Sequence, residues 1–400
     1  MSLIAKRLQA VKPSPTLAVT AKAKELASQG INIISLAAGE PDFDTPENIK
    51  NAAIAGIKNG ATKYTDVSGS KELRQAVCNK FKRENNLDYA LDEVIISTGG
   101  KQVIYNLFMA TINEGDEVII PAPYWVSYPD MVLLAGGIPV SVASDMQTGF
   151  RAKPEDVVAA ITKKSKWIIL NSPSNPSGAA YTENELEALA DVLRKHPQLN
   201  VMCDDIYEHI TFDGFEFKTL ATVAPDLKDR IFIVNGVSKA YSMTGWRIGY
   251  GAGTKEIIKA MSMVQSQSTS NPSSVSQVAA LEALSGEQGY IKTNAINFQK
   301  KRDLVLSLIN NIPGLDCYKS EGAFYLFPKC ADLFGKKTPA GSVINSSNDL
   351  ASYFLESANV AVVPGIAFGL EGYFRISYAT SEKLLTEACQ RLAKAVAQLA

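Results

Sequence analysis

Histidine is scarce in this sequence, which has only His196 and His209 among its 400 residues. Two histidines are too few for a His-rich metal site, and a Ser-His or Cys-His nucleophile would have to use one of them. The five cysteines form no Cys-x-x-Cys pair, and their odd number and wide spacing favour reduced thiols in a cytoplasm. We therefore expect no metal centre, and we expect the chemistry to depend on other residue types.

An excess of one charge and long apolar runs are also missing. The 40 Lys and Arg residues balance 41 Asp and Glu residues, so the chain has no field that would attract nucleic acid or an anionic membrane. No run of 18 apolar residues occurs that could span a bilayer. The first residues contain no apolar segment of the secretory type. We expect a cytoplasmic protein with neither a nucleic acid nor a membrane as partner.

Short apolar runs alternate with longer amphipathic segments over most of the chain. Because the short runs are continuously apolar, they predict strands of a parallel sheet that helices cover on both faces. The predicted strands comprise residues 94–97, 117–120, 138–142, 167–170, 200–203 and 231–234. The predicted helices between them comprise residues 102–112, 127–134, 154–161 and 183–194. This alternation predicts an α/β fold.

The last hundred residues have a different pattern, which indicates a smaller α+β domain. The elements predicted there are a helix over 286–310, short strands over 322–327, 360–363 and 374–377, and a closing helix over 382–399. Since the chain is too long for one small core, we divide it into three parts. These are an N-terminal arm and part of the small domain (1–44), a large domain (45–300) and a small C-terminal domain (301–400).

Polar motifs follow four of the predicted strands. Ligands in open α/β sheets bind beyond the carboxyl ends of the strands, so these motifs are the candidates for a site. They are Thr98-Gly99-Gly100-Lys101, Asn175-Pro176-Ser177-Gly178, Asp204-Asp205-Ile206-Tyr207 and Ser238-Lys239. No GxGxxG or GxxxxGK[ST] motif occurs, which disfavours a dinucleotide fold and a P-loop.

Each motif is ambiguous when taken singly. Gly99 and Gly100 at a helix start can direct N–H groups at an anion, or they can form an ordinary turn. Asn175 can donate to a ligand oxygen or only shape a turn. Asp204 can cap a helix or hold a protonated ring nitrogen, and Tyr207 can donate to a phenolate oxygen or pack in the core.

Two basic residues stand in apolar surroundings. Lys239 follows an apolar strand and is flanked by small and aromatic residues, although a lone lysine is more often a surface residue. Eight positions later, Arg247 lies in an apolar, aromatic stretch, where a buried guanidinium would need an anion such as phosphate. Together they suggest a phosphorylated cofactor that a lysine holds as a Schiff base.

For two further residues, a functional and a structural interpretation are equally favoured. Arg375 lies in the predicted strand 374–377, where it can bind a carboxylate bidentately or form a structural ion pair. Trp125 follows the predicted strand 117–120, where it can stack on a flat ring or pack in the core.

The order of these motifs resembles that of the fold-type-I, class-I aminotransferases, which use pyridoxal phosphate. The segments Gly39-Glu40-Pro41-Asp42, Lys63-Tyr64-Thr65 and Phe374-Arg375-Ile376-Ser377 extend the resemblance over almost the whole chain. It is nearest to the bacterial aspartate aminotransferases, a subgroup in which some members also transaminate prephenate. The resemblance implies a large domain with a mostly parallel seven-stranded sheet covered by helices, and a smaller α+β domain.

The resemblance also implies a role for each cofactor residue. Lys239 forms the Schiff base and later moves the substrate proton, and Asp204 pairs with the pyridine nitrogen. The other implied contacts are Tyr207 and Asn175 to the ring oxygen, Trp125 stacked on the ring, and Arg247 with the N–H groups near Gly100 and Lys101 on the phosphate. In an implied homodimer, Tyr64 reaches the phosphate of the neighbouring subunit's cofactor.

The implied substrate residues are those that meet carboxylates. Arg375, Asn175 and the backbone of Gly39 bind the α-carboxylate, with Trp125 beside the substrate. The family often uses an Arg of the partner subunit for the distal carboxylate, but residues 264–277 contain no basic residue, so Lys101 is the best substitute. A family Ser three positions before the Schiff-base lysine is replaced by Gly236, which puts one phosphate contact in doubt.

The reaction implied is L-aspartate plus 2-oxoglutarate to oxaloacetate plus L-glutamate, with ping-pong kinetics. Transamination of prephenate to L-arogenate is an additional activity of the subgroup. The nearest alternatives are an aromatic aminotransferase or a carbon–sulfur lyase on the same scaffold. A pyridoxal-phosphate-sensing regulator would need an added DNA-binding segment, and the forty residues before the cofactor domain are too few for one.

Lys12 is the candidate for prephenate use, because related enzymes place a basic residue of this arm near the substrate entrance. Its neighbours Pro13 and Pro15 prevent a continuous helix there, although a lone lysine is more often solvated. Prephenate carries a ring carboxylate that aspartate lacks. We expect Lys12→Ala to lower kcat/KM for prephenate more than for aspartate, measured with both substrates on one preparation. Equal losses would reduce Lys12 to a general electrostatic role.

Overall fold

The computed structural model describes residues 3–11, 13 and 15–400. The strands of this part are β1 (Ile34–Ser35), β2 (Val94–Ser97), β3 (Glu117–Pro121), β4 (Ile138–Val142), β5 (Ser165–Asn171), β6 (Asn200–Asp204), β7 (Ile231–Gly236), β8 (Gly249–Ala252), β9 (Tyr325–Leu326), β10 (Val360–Ala361), β11 (Val363–Pro364) and β12 (Phe374–Ser377).

The helices surround these strands. They are α1 (Pro15–Ser28), α2 (Glu47–Lys58), α3 (Lys71–Asn85), α4 (Gly100–Thr111), α5 (Ser127–Leu134), α6 (Pro154–Ala160), α7 (Glu183–Lys195), α8 (Leu220–Val223), α9 (Lys255–Ser266), α10 (Ser274–Ser285), α11 (Gly289–Asn310), α12 (Ser347–Ala358) and α13 (Glu382–Ala397). None of the described helices is both long and apolar enough to cross a membrane.

Seven strands form one central sheet in the order β2-β8-β7-β6-β5-β3-β4. All neighbours pair in parallel except β8, which is antiparallel to β2 and to β7. Successive residues of β5, such as Ile168 and Ile169, pack into separate apolar clusters on opposite faces. The predicted mostly parallel sheet is therefore confirmed, and its strands are buried on both faces except for the edge strand β4, where Ile138 is 45% exposed.

Strand β8 was not predicted from the sequence. Three of its four residues, Gly249, Gly251 and Ala252, are of types that are depleted in strands. Gly249 is needed at the start of β8 because a Cβ there would lie only 2.7 Å from the Cα of Gly100. The glycine that begins β8 is explained by the close approach of its backbone to the start of α4, and no hydrophobic pattern reveals such an approach.

Other boundaries also differ from the predictions. The helix expected over 286–310 begins at Gly289, and the segment expected as one strand over 360–363 is split between β10 and β11. The strand expected over 322–327 is reduced to β9. The boundaries of these short elements are set by their pairing with other segments, and the length of an apolar run does not reveal where that pairing stops.

The small sheets join the two ends of the chain. Strand β1 pairs in parallel with β10, and β12 lies between β11 and β9 in an antiparallel sheet that carries Arg375. The pairing of β1 with β10 agrees with a contribution of residues 1–44 to the small domain. Residue 300, the predicted boundary, lies inside α11, and the division into domains stays a prediction.

The parallel strands bring all their carboxyl ends to one edge of the sheet. Ser97 and Gly236, at the ends of β2 and β7, both pair with Gly249 at the start of the antiparallel β8. Arg247 therefore reaches the same edge from the opposite chain direction. The motifs at the strand ends meet because of this arrangement.

We expect Gly249→Ala to lower the free energy of unfolding by about 1–3 kcal/mol, because the new methyl group would overlap the backbone that starts α4. Gly245→Ala is the matched control, since a Cβ at Gly245 meets no atom within 4 Å. Urea unfolding of both variants measures the difference. Equal stabilities would mean that the two segments can separate without cost.

Candidate active site

A cavity of about 570 Å³ opens at the carboxyl edge of the sheet. Ten of the residues named from the sequence line it: Gly39, Gly100, Lys101, Trp125, Asn175, Asp204, Tyr207, Lys239, Arg247 and Arg375. Tyr64 does not line this cavity, and its side chain is 92% exposed. Lys12 lies outside the described residues.

The Lys239 amine lies at the base of the cavity. Its Nζ donates to the backbone carbonyl of Gly39 at 2.6 Å. Burial lowers the pKa of Lys239 to about 8, and the charges of Arg375 and Arg247 add to the effect. No carboxylate of the described residues lies within ion-pair distance of it. A substantial neutral fraction near pH 8 makes this amine a nucleophile and a base.

The Asp204 carboxylate is buried at the end of β6 and faces the same cavity. Tyr128 donates its hydroxyl to Oδ2 of Asp204 at 2.5 Å. Burial raises the pKa of Asp204 to about 6, and the Tyr128 hydrogen bond opposes this rise. The adjacent Asp205 is also buried but does not line the cavity, so Asp204 is the carboxylate that a ligand would meet.

Arg375 is a buried guanidinium without an acidic partner among the described residues. Its Nη1 donates to Oδ1 of Asn175 at 2.9 Å, and its Nη2 donates to the carbonyl of Ala37 at 2.6 Å. Its buried Nε has no hydrogen-bond partner within the described part of the chain. A structural ion pair, the alternative from the sequence, is therefore wrong, and an unpaired buried guanidinium suits a carboxylate ligand.

Tyrosines line the wall between Arg375 and Lys239. The hydroxyls of Tyr207 and Tyr325 lie 2.9 Å apart, and the Arg375 guanidinium lies 4.6 Å from the Tyr325 ring centre. A Cβ on Gly39 would meet the Tyr325 hydroxyl at 3.0 Å. The backbone of Gly39 can thus approach the cavity closely.

The start of α4 forms the opposite end of the cavity. Gly99 caps α4 with φ of +83°, and a Cβ there would lie 2.9 Å from Cζ of Arg247. The absence of that Cβ lets the Arg247 guanidinium lie against the helix start, where N–H groups also point. The two together can hold an anion, and the positive end of the helix dipole adds to the attraction.

Arg247 differs from expectation in its burial. The sequence predicted a buried side chain, but Arg247 is exposed and has a left-handed backbone with φ of +56°. Its Nη1 donates to the carbonyl of Thr244 at 2.9 Å. A short 3-10 turn over Thr244–Trp246 carries it to the cavity rim rather than into the apolar stretch around it.

Close packing explains why a glycine occupies position 236, and the sequence did not reveal this. A Cβ there would lie 3.0 Å from Cα of Gly249 and 3.0 Å from the carbonyl oxygen of Ile248. A serine at this position would be crowded against β8. The departure from the family pattern therefore matches the close packing of these strands.

Lys101 and Trp125 stand together at the cavity mouth. Nζ of Lys101 lies 4.8 Å from the centre of the Trp125 ring, an arrangement that allows a cation–π interaction. The pKa of Lys101 is lowered by desolvation and by the charge of Arg247. Trp125 packs edge-on against Tyr128, with ring centres 5.3 Å apart.

Sequence reasoning missed Tyr128, Tyr325 and three residues of α1, namely Thr16, Leu17 and Thr20, all of which line the cavity. The tyrosines lie within or beside predicted elements, where an aromatic residue normally indicates core. Only the tertiary contacts of Tyr128 with Asp204 and of Tyr325 with Tyr207 distinguish them. Taken as a whole, the cavity offers an amine, a carboxylate and two separate anion-binding ends.

We expect Tyr128→Phe to raise the pKa of Asp204 further, by about one pH unit, because the carboxylate loses a charge-assisted hydrogen bond. A larger fraction of Asp204 would then be protonated at pH 7. A ¹³C NMR titration of labelled aspartate carboxyls, assigned with Asp204→Asn, measures the change. Tyr353→Phe removes a comparable hydroxyl bond, to the Ala395 carbonyl, and should leave the value unchanged. The same pKa in both variants would contradict the assigned role of Tyr128.

Known proteins are similar to this chain over its whole length. A probable aspartate/prephenate aminotransferase of Rickettsia bellii is 67% identical over 100% of both chains. An aspartate/prephenate aminotransferase of Cereibacter sphaeroides is 58% identical over 98% of both chains. The crystal structure of the aspartate aminotransferase from Rhizobium meliloti superposes with a TM-score of 0.97 at 52% identity, covering 100% of both chains.

The family model for class I and II aminotransferases matches residues 31–392. This range includes both ends of the cavity as well as Lys239, Asp204 and Arg375. The chain therefore belongs to the class I and II aminotransferase family.

Proposed function

We propose that this aminotransferase uses pyridoxal 5'-phosphate to convert L-aspartate and 2-oxoglutarate into oxaloacetate and L-glutamate. The observation that carries the proposal is the Lys239 amine, with its pKa lowered to about 8, in one cavity with the buried Asp204 carboxylate and the unpaired Arg375 guanidinium. The names of the similar proteins support aspartate as the amino donor.

Pyridoxal phosphate, when bound, supplies an aldehyde that links to an amine and a ring that withdraws electrons from the substrate's Cα. In our proposal Lys239 provides the linking amine. Nζ of Lys239 would also act as the base that takes the proton from the substrate's Cα. Asp204 would lie beside the ring nitrogen and favour its protonated form, because a buried carboxylate favours a cation beside it.

The two ends of the cavity suit the remaining groups of the cofactor. N–H groups at Gly100 and Lys101 and the Arg247 guanidinium would hold the phosphate. Tyr207 and the amide nitrogen of Asn175 would donate to the ring oxygen, since Oδ1 of Asn175 already accepts from Arg375. Trp125 would stack on the ring.

The substrate's two carboxylates would meet different cations. Arg375, with Asn175 and the backbone of Gly39, would bind the α-carboxylate, as the partnerless Nε of Arg375 supports. Lys101, beside Trp125 at the mouth, would bind the distal carboxylate. This second cation favours a dicarboxylic substrate over an aromatic aminotransferase or a carbon–sulfur lyase, the alternatives on this scaffold.

Prephenate is a second proposed amino acceptor, with L-arogenate as the product. The support is the naming of the Rickettsia bellii and Cereibacter sphaeroides proteins. Lys12, in this proposal, meets the additional ring carboxylate.

We also propose a homodimer in which Tyr64 completes the neighbouring active site. Tyr64 is 92% exposed and lies outside its own cavity, and Ile54, Ile57 and Met263 are apolar side chains that are also exposed.

All five cysteines are buried and unpaired, which suits a cytoplasmic location.

Single half-reactions test the proposal. The chain loaded with pyridoxal phosphate is mixed with one amino acid at a time, and the cofactor absorbance is followed. Aspartate and glutamate should convert the absorbance in the wild type and in Lys195→Ala, whereas Lys239→Ala should lose turnover by at least about a thousandfold because it lacks the base. Wild-type turnover by Lys239→Ala without added amine would contradict the role of Lys239. Conversion by aromatic amino acids alone would favour the aromatic alternative.

A further inference from the structure

A buried polar cluster lies behind the cavity and lines none of it. It consists of Lys80 and Asn85 from α3, Glu208 from the turn after β6, and Asn235 from β7, and each of them is at most 8% exposed. Sequence reasoning named none of them. Burying two charges and two amides is costly unless they are paired, so their arrangement calls for a physical reason.

Glu208 is the centre of this cluster and both its oxygens are used. Oε1 accepts from Nζ of Lys80 and, at 2.6 Å, from Nδ2 of Asn235. Oε2 accepts from Nδ2 of Asn85 at 3.1 Å, and Lys80 also donates to Oδ1 of Asn85 at 2.9 Å. The pKa of Glu208 is lowered although burial acts to raise it, because the charges of Lys80 and His209 oppose burial.

The cluster does not have the character of a metal site. Glu84, Glu208 and His209 place possible ligand atoms within 4.8 Å of one another. However, the Lys80 ammonium lies among them, within ion-pair distance of both carboxylates, and His209 bonds to Glu84 at 2.9 Å. A lysine cation thus already supplies the positive charge that a metal would bring.

The position of Glu208 and Asn235 along the chain is the informative observation. Regular pairing of β6 with β7 ends at Asp204 and Val234, and one further bond joins the Asp205 N–H to the Val234 carbonyl at 2.9 Å. Beyond that point, the segment after β6 carries Tyr207 into the cavity and the segment after β7 carries Lys239 into it. Glu208 directly follows Tyr207.

Asn235 fixes the segment that leads from β7 to Lys239. Its Oδ1 accepts from the N–H of Gly236 at 2.7 Å, which shapes the backbone that leads to Lys239. Its Nδ2 donates to Glu208 at 2.6 Å. The side-chain bond between Asn235 and Glu208 therefore continues the connection between the two strands after their backbone ladder has ended.

We propose that Glu208 and Asn235 are positioning residues that set the Lys239 amine relative to Asp204 and Tyr207, with Lys80 and Asn85 anchoring Glu208 to α3. This inference rests on the proposed function of Lys239. A buried ion pair by itself contributes little net stability, and an apolar replacement of similar volume is often tolerated. The geometric role therefore predicts effects that a merely structural cluster would not produce.

Two matched double variants isolate the hydrogen bond from the charges. Lys80→Met/Glu208→Gln removes the ion pair but keeps an oxygen that accepts from Asn235. Lys80→Met/Glu208→Leu removes the ion pair and the acceptor. Asn235→Ala removes the donor directly, and Asn200→Ala, which loses a bond to the Lys166 carbonyl at the opposite end of β6, is the control.

Three readouts are taken on the chain loaded with pyridoxal phosphate. They are the pH midpoint of the absorbance of the lysine–cofactor link, kcat and KM for aspartate, and urea unfolding. Asn235→Ala and the Leu double variant should shift the pH midpoint by about half a pH unit or more. They should lower kcat by about tenfold to a hundredfold with KM within about threefold, because a small misplacement of a reacting group is costly. The Gln double variant and Asn200→Ala should keep the wild-type midpoint and kcat.

Each contrary result overturns the inference in a distinguishable way. If Asn235→Ala and the Leu double variant lose only stability, with the midpoint and kcat unchanged, the cluster is structural. If the Gln and Leu double variants are equally impaired, the charges rather than the hydrogen bond are responsible. If the wild type forms no absorbing link with pyridoxal phosphate, the proposed function fails and the inference fails with it.

Discussion

The rest of this site depends on one constraint: the Lys239 amine is buried with no carboxylate of the described residues at ion-pair distance. Burial lowers its pKa to about 8, the charges of Arg375 and Arg247 add to the effect, and among the described residues the Gly39 carbonyl accepts a hydrogen bond from it. Such an arrangement destabilises the protonated lysine, which makes the neutral, reactive form available. Arg375 lies nearby and is buried too, but a guanidinium keeps its charge under conditions in which an ammonium loses its proton. Lys239 is therefore the group of the two that becomes neutral.

The parallel sheet provides the rigid frame that this constraint requires. Strands β6 and β7 run side by side, so Asp204 is held within their ladder and Lys239 lies in the turn that directly follows β7. The antiparallel β8 then brings Arg247 to the same edge from the other direction. Beyond the ladders, side chains such as Glu208 and Asn235 continue the connection, and charged groups behind the cavity are neutralised pairwise.

Much of the fold and the candidate site could be predicted from local pattern. Continuously apolar runs predicted six strands of the central sheet, because burial on both faces favours uninterrupted apolar residues. Ten of the twelve residues that received a role from the family resemblance line one cavity, because they lie at strand ends or in motifs whose order the family shares. Strand β8, the tyrosines Tyr128 and Tyr325, and the exposure of Arg247 could not be predicted, since each depends on contacts between segments far apart in the chain.

Apolar patterning was enough to predict the class of fold, and the order of the motifs was enough to suggest the family and the cofactor chemistry that it implies. Tertiary contacts were needed to show that Arg375 has no acidic partner among the described residues, that Asp204 rather than Asp205 faces the cavity, and that Tyr128 donates to Asp204. The physical reason is that charge state and hydrogen bonding depend on desolvation and on neighbours in space. A linear sequence specifies the groups, whereas their pairing follows from packing.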